Sequence, residues 1–477
     1  MSDHKALLKH SSNYFFATLA TKALAFVSIP VYTRLLTVEE YGVVGVFMSV
    51  VGIAQVLFTL DSEVAISRYY YDAESIDDFK RFVGTTLSLT LIILCCTSMI
   101  FILITPFLAD SLSFPVKLTF CLLPVALYNL TNSIFTQIYN PLLQSKKIAV
   151  VSSIQAYLAF GLSVLCMFFL PVEKYYGYVY GNIIAMILLG TYLFHQIRFY
   201  CILSFKKSHI RYILNYCIPY MPYTLSGVIL LQFSRIFLGN NQGYNLAGSY
   251  TLTTNIATLM MIVVTITHNA WNPYYFRYMN AKDTTSLDSD YNLIWRTTLL
   301  IAFGLSAFGY ELALALSKGG DYLKTMYVLP LLVLGYVIFQ WSYVYLRNTG
   351  YAKRNIWNAY CVLISGVSNI LFNAYFVSRY GEIGAAVATL SSYFILLILS
   401  YITNRFIIRG YVPHLGLFVK PFLVLVPFLI AISIIYVYHF SFVSSFILKL
   451  LLFVILSFIY FCAYKDKLKV LIKRVES

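Results

Sequence analysis

Residues 12–72 read SNYFFATLATKALAFVSIPVYTRLLTVEEYGVVGVFMSVVGIAQVLFTLDSEVAISRYYYD. An apolar run, 12–36, carries one charge near its middle, Lys22, and a proline, Pro30, near its far end. A short polar turn, 33–42, joins it to a second run that closes on Asp61-Ser62-Glu63. Each run has roughly the 20 residues that a helix needs to cross a bilayer core. The stretch therefore predicts a transmembrane hairpin, and the rest of the chain repeats its style.

Of the 477 residues 60% are apolar and 11% charged, and the mean hydropathy is +0.76. Soluble domains carry about 25% charged residues, so this composition is that of a polytopic membrane protein. Apolar runs fall at 12–36, 42–64, 82–108, 117–139, 149–171, 176–197, 212–238, 247–271, 293–317, 326–346, 356–378, 383–404, 417–438 and 444–464. The expected fold is all-α, with about 14 transmembrane helices, and the segments between the runs are too short for a soluble domain. The first run is too long for the core of a cleavable signal, and no small-x-small cleavage site follows it. It is expected to be a retained helix.

A net charge of +15 raises the question of nucleic acid, but its distribution answers it. With Lys22 inside a run, 25 of the 34 Lys and Arg residues fall at the termini and in alternate loops, against eight on the opposite side. By the positive-inside rule this places both termini in the cytoplasm. The 42 tyrosines suit interfacial belts, as at Tyr69–Tyr71 and Tyr274-Tyr275. Eight scattered cysteines show no C-x-x-C or Cys/His spacing, so neither a metal nor a disulfide framework is expected. No Walker A loop, G-x-S-x-G or H-E-x-x-H is present, which leaves no candidate catalytic residue and no expected cofactor.

The turn TRLLTVEEYG (33–42) and the exit FTLDSEVAISRYYYD (58–72) resemble the opening of Wzx-type flippases for O-antigen and other polysaccharide repeat units. These form the polysaccharide exporter branch of the MATE-like MOP transporter superfamily. The resemblance implies two six-helix lobes around a central cavity, followed by two extra helices. The boundaries expected are 1–205 for the first lobe, 206–410 for the second, and 411–477 for the final pair and a basic tail.

An internal repeat agrees with that layout. Thr33-Arg34 aligns with Ser234-Arg235, Gly45 with Gly248, Tyr69-Tyr70 with Tyr274-Tyr275, and Lys146-Lys147 with Lys353-Arg354. The offsets drift slowly, as small insertions would make them do.

Ionisable residues within spans are costly and are functional candidates by default. Lys22, about 15 Å into the first run at 1.5 Å per residue, reads as a cavity cation for pyrophosphate or acidic sugar, or as a lysine paired for structural reasons. Arg34 and Arg235, at matched ends of spans 1 and 7, read as a guanidinium pair for phosphate oxygens, or as interfacial arginines. Asp61 and Glu63 read as an ion-responsive pair, or as a solvated helix end neutralised by Arg68. His268, opposite Glu63 in the repeat, could titrate near neutral pH; a structural interfacial histidine is the other reading. Glu311, an isolated acid in an apolar helix, is a candidate proton carrier. Pro219 and Pro222 inside span 7, and Pro30 in span 1, free backbone carbonyls and predict kinks that line a cavity.

The resulting expectation is an inner-membrane flippase that moves undecaprenyl-pyrophosphate-linked oligosaccharide by alternating access, with ion exchange at the acids as the coupling step. Its partners would be that lipid-linked substrate, the bilayer, and the polymerase and chain-length regulator of the same pathway, with no nucleic acid. Two rivals remain at this stage. A MATE-type drug or cation extruder would favour deep acids where this chain has Lys22. A membrane enzyme such as a polymerase would carry a long outer loop, and none is present.

Overall fold

The computed structural model describes residues 24, 26–112, 115–438 and 442–463. Most of them are helical, with no strand among them. Two compact units divide at Gly248 and Ser249.

The first unit starts with helical residues 26–35 (α1) and a turn that the sequence builds locally. Thr37 caps α2 (Val38–Thr59): its hydroxyl accepts the Glu40 N–H, and the Glu40 carboxylate accepts the Thr37 N–H at 2.8 Å. This reciprocal capping box satisfies two N–H groups that a helix start otherwise leaves without partners. The other Glu40 oxygen accepts the Lys174 N–H at 2.7 Å, so one side chain fixes both the first hairpin and the turn before α7. At its far end α2 stops where Leu60 and Asp61 adopt left-handed backbone (φ 49° and 50°), and the chain re-enters helix through Ser62–Val64 and α3 (Ala65–Tyr69). Then follow α4 (Ile76–Leu112), α5 (Val116–Tyr139), α6 (Ser145–Phe169), α7 (Tyr175–Ile197) and α8 (Lys207–Gln242). Helix α9 (Tyr244–Ala281) begins in this unit and runs into the next.

The second unit continues with α10 (Thr284–Leu316), α11 (Leu329–Tyr351) and α12 (Ile356–Ile402), then α13 (Gly416–Val437) and α14 (Phe442–Cys462). Gly381, at φ 54° and ψ −128°, breaks α12 into the two spans that the sequence separates there. Among the described residues twelve helices are long and apolar enough to cross a membrane. Resolving α12 into its two parts raises that number, and most of the first apolar run lies outside the described residues. The protein is thus a multi-pass membrane protein with 12–14 spans.

The same close approach ends the last helical hairpin of both halves. A Cβ on Gly177 would sit 2.7 Å from the Met167 nitrogen, and one on Gly384 would sit 2.1 Å from the Phe376 carbonyl oxygen. Both positions therefore need glycine, and they are separated by the same 207 residues as Lys147 and Arg354. The final helix pair is held onto the second unit by specific contacts. The Trp295 indole donates to the Phe418 carbonyl at 2.9 Å, and Phe418 stacks on Trp341 at 5.5 Å. Helix α14 is fixed by an ion pair between Lys449 and Glu311, described below.

Candidate functional site

Lys22 lies outside the described residues. The remaining candidates of the first unit lie on α1, at the far end of α2 and on α8. Near the turn into α9, α8 packs Gly239 against Val46 of α2. The starts of α2 and α9 touch backbone to backbone: a Cβ on Gly42 would meet the Tyr244 carbonyl at 2.0 Å, and one on Gly248 would meet the Val38 carbonyl at 1.9 Å. One turn inward from Gly239, Arg235 is 9% exposed. Its Nη1 donates to Gln232 Oε1 at 3.3 Å, and the same oxygen accepts Ser49 Oγ of α2 at 3.2 Å. Arg34, its partner in the repeat, is exposed and turns back to the Pro30 carbonyl at 2.9 Å. The two arginines are therefore not equivalent in environment. Pro30 lies within α1, as Pro219 and Pro222 lie within α8.

At the other end of α2, Asp61 and Glu63 are not a solvated helix end. Asp61 accepts a hydrogen bond from Thr224 of α8, and Glu63 is 3% exposed with one carboxylate oxygen lacking a partner among the described residues. Arg68 pairs with Asp72 at 3.2 Å instead. Cys217 of α8 donates to the Ser62 carbonyl at 3.5 Å, and the Ser62 and Thr90 hydroxyls lie 2.5 Å apart. Pro219 and Pro222 fall inside α8 between Cys217 and Thr224, so the proline-bearing turn is the part of α8 that faces the acids. The structure therefore brings Asp61, Glu63 and the two-proline segment together.

The second unit corrects two expectations. Glu311 is not isolated: its Oε1 lies 2.7 Å from Lys449 Nζ, with the lysine side chain 2% and the glutamate 15% exposed. The Tyr310 and Tyr436 rings flank the ammonium at 5.7 and 4.7 Å. Lys449 is far away in sequence, on the last helix, which is why sequence spacing could not pair it. His268 is not alone either; its Nδ1 lies 2.9 Å from Arg347 Nη2. Because arginine only donates, Nδ1 is the acceptor and carries no proton in this arrangement.

The apolar run 326–346 stops short of Arg347, which puts that residue among the loop charges, but it lies inside α11 and is 9% exposed. The Trp271 and Tyr275 rings lie 4.7 and 5.3 Å from its guanidinium carbon, within cation–π range. The side chain opens on a cavity of about 30 Å³ lined by His268, Trp271, Tyr291, Gln340, Tyr343 and Phe418, among others. The signal was present in the sequence: His268, Trp271 and Tyr275 share one helical face, as do Tyr343 and Arg347 four residues apart. Among the described residues no three His, Cys, Asp or Glu side chains are placed to hold a metal.

A model of the family described as "Polysaccharide biosynthesis protein" matches residues 7–279, more than half of the chain. The protein belongs to that polysaccharide biosynthesis family. A relative within reach of this family member is "Lsg locus putative protein 1" of Haemophilus influenzae, 25% identical over 288 residues, 58% of this chain and 67% of the relative. The lipid II flippase MurJ in an inward closed conformation superposes with a TM-score of 0.67 at 16% identity, covering 95% of this chain and 99% of its own. A multidrug resistance MATE family transporter of the MOP superfamily, inward-facing, gives 0.61 at 16% identity over 81% of this chain and 94% of its own. A MOP superfamily transporter from Pyrococcus furiosus gives 0.58 at 15% identity over 85% and 96%. At such identities the likeness establishes the fold, which is that of MOP-superfamily transporters.

Proposed function

We propose that this polysaccharide-biosynthesis family member is a flippase, not an enzyme, that carries polyprenyl-pyrophosphate-linked oligosaccharide across a bacterial inner membrane. The single observation that carries the reading is the family match over residues 7–279. The fold shared with a lipid II flippase supports it. The cargo would be an undecaprenyl-linked repeat unit of O-antigen or a similar surface polysaccharide, and both termini would be cytoplasmic. Residues 1–205 and 206–410 would act as the two lobes of an alternating-access transporter, with 411–477 appended.

Phosphate oxygens would be drawn by Lys22, Arg34 and Arg235. Of these Arg235 has the strongest structural support, because a guanidinium held at 9% exposure forms stronger hydrogen bonds to an anion than one in bulk water. Arg34, exposed and folded back on its own helix, suits a first encounter. The Asp61/Glu63 pair would exchange a proton or Na⁺ as α8 moves, since Thr224 and Cys217 tie both acids' segment to the two-proline turn. A polymerase and a chain-length regulator of the same pathway would take the delivered unit.

The test is a deletion strain complemented with wild type, Lys22→Ala or Arg235→Ala, with membrane insertion checked by immunoblot. Deletion is expected to strand lipid-linked repeat units on the cytoplasmic leaflet and deplete surface polysaccharide. Wild type should restore both, and Arg235→Ala should restore neither fully. Normal surface polysaccharide with heightened sensitivity to cationic drugs would overturn the reading in favour of a MATE-type extruder.

A further inference from the structure

The Arg347 cavity is a second charged site, and the proposed function makes no use of it. Within the second unit Arg347 is nine-tenths buried and forms no ion pair with any described carboxylate. One of its nitrogens, Nη2, is spent on His268. Its Nε–H has no acceptor, and neither does the Trp271 indole N–H, a second donor on the same cavity wall. Gln340, also on that wall, gives its amide nitrogen to Thr298 at 2.9 Å and leaves its oxygen without a partner. Amide orientation is an assignment from the surrounding network. Turned over, Gln340 accepts the Thr298 hydroxyl and presents a third N–H to the cavity.

A buried guanidinium without a countercharge is costly, and an unmade hydrogen bond to a charged donor adds to the cost. Neighbouring rings offset part of it through their π faces. They do not supply an acceptor for Nε. The Tyr291 hydroxyl, on the same wall, also serves the guanidinium, but Nε is left without an acceptor and the charge without a counterion, and a small anion would supply both. The space sets its size. A cavity of about 30 Å³ holds one or two water-sized particles. It admits a halide. The walls are otherwise apolar or aromatic, among them Val264, Ile294, Val344 and Phe418, a setting in which a weakly hydrated monovalent anion is easier to bind than a strongly hydrated one.

We propose that the Arg347 cavity is a binding site for a small monovalent inorganic anion of chloride size, held by the Arg347 Nε–H, the Trp271 indole N–H and the turned Gln340 amide. The anion completes the charge of the second unit. It does not depend on what the protein carries.

The purified full-length chain tests this through thermal unfolding in sodium chloride and in sodium gluconate at equal ionic strength. Wild type is expected to gain roughly 3 °C in saturating chloride. Arg347→Met, which replaces the charge with a side chain of similar length, should lose the chloride-specific gain. Because that variant could fail to fold, crystals of wild type in sodium bromide supply an independent readout: an anomalous peak is expected in the cavity, within hydrogen-bond reach of Arg347 Nε. Three results would overturn the proposal. They are equal stability of wild type in the two salts, a chloride gain retained by Arg347→Met, or a bromide map with no peak in the cavity. None of these bears on repeat-unit accumulation, so the two proposals fail separately.

Discussion

Replacing one partner of the Lys449–Glu311 pair should harm the protein more than replacing both. At 2.7 Å, with the lysine almost wholly buried, neither charge is served by solvent once its partner is gone. Lys449→Met or Glu311→Gln should each cost roughly 3–5 kcal/mol, the range for removing one partner of a buried pair, because the remaining charge is left uncompensated. The double variant leaves no charge in place and should fall within about 1 kcal/mol of wild type. Denaturation in detergent, followed by intrinsic fluorescence, gives all three differences.

A double variant no more stable than the single ones would refute the ion pair as an anchor. The same double variant also tests the expectation of a proton carrier. If it restores surface polysaccharide along with stability, Glu311 serves α14 and not transport.

Gly42→Ala places a methyl group into the Tyr244 carbonyl and should cost about 1–3 kcal/mol by overpacking, read as a lowered Tm; an unchanged Tm would show that α2 and α9 part without cost. Glu63→Gln removes a buried carboxylate that has one unpaired oxygen, and should leave the Tm unchanged or higher. A loss above about 2 kcal/mol would show instead that the charged form is hydrogen-bonded in the ground state.

Hydropathy made the spans legible because a bilayer allows few alternatives to an apolar helix. The boundary between the two spans of α12 was readable at Ser378–Glu382, and the structure bends at Gly381 within it. Glu40 was read only as part of a polar turn; its clasp on the Lys174 amide is a long-range contact that no local pattern announces. The sites were harder to read for a physical reason. Glu311 looked solitary because its counterion is on the last helix, and hydropathy does not pair helices. Arg347 looked like a loop charge because a guanidinium lowers the local hydropathy and so ends an apolar run on paper, even where aromatic rings carry it inside. Asp61 and Glu63 fell at a calculated span end for the same reason, yet the left-handed pair Leu60-Asp61 turns the chain so that helix resumes and the acids stay covered by α8.

Phe418 of α13 forms one wall of the Arg347 cavity, and Lys449 of α14 neutralises Glu311. Synthesis delivers both of them after α12. A chain stopped between Gly410 and Phe418 would hold every span from α1 to α12, and still leave the Arg347 cavity without one wall and Glu311 without its partner. Such a nonsense allele should therefore behave as a loss of the whole protein.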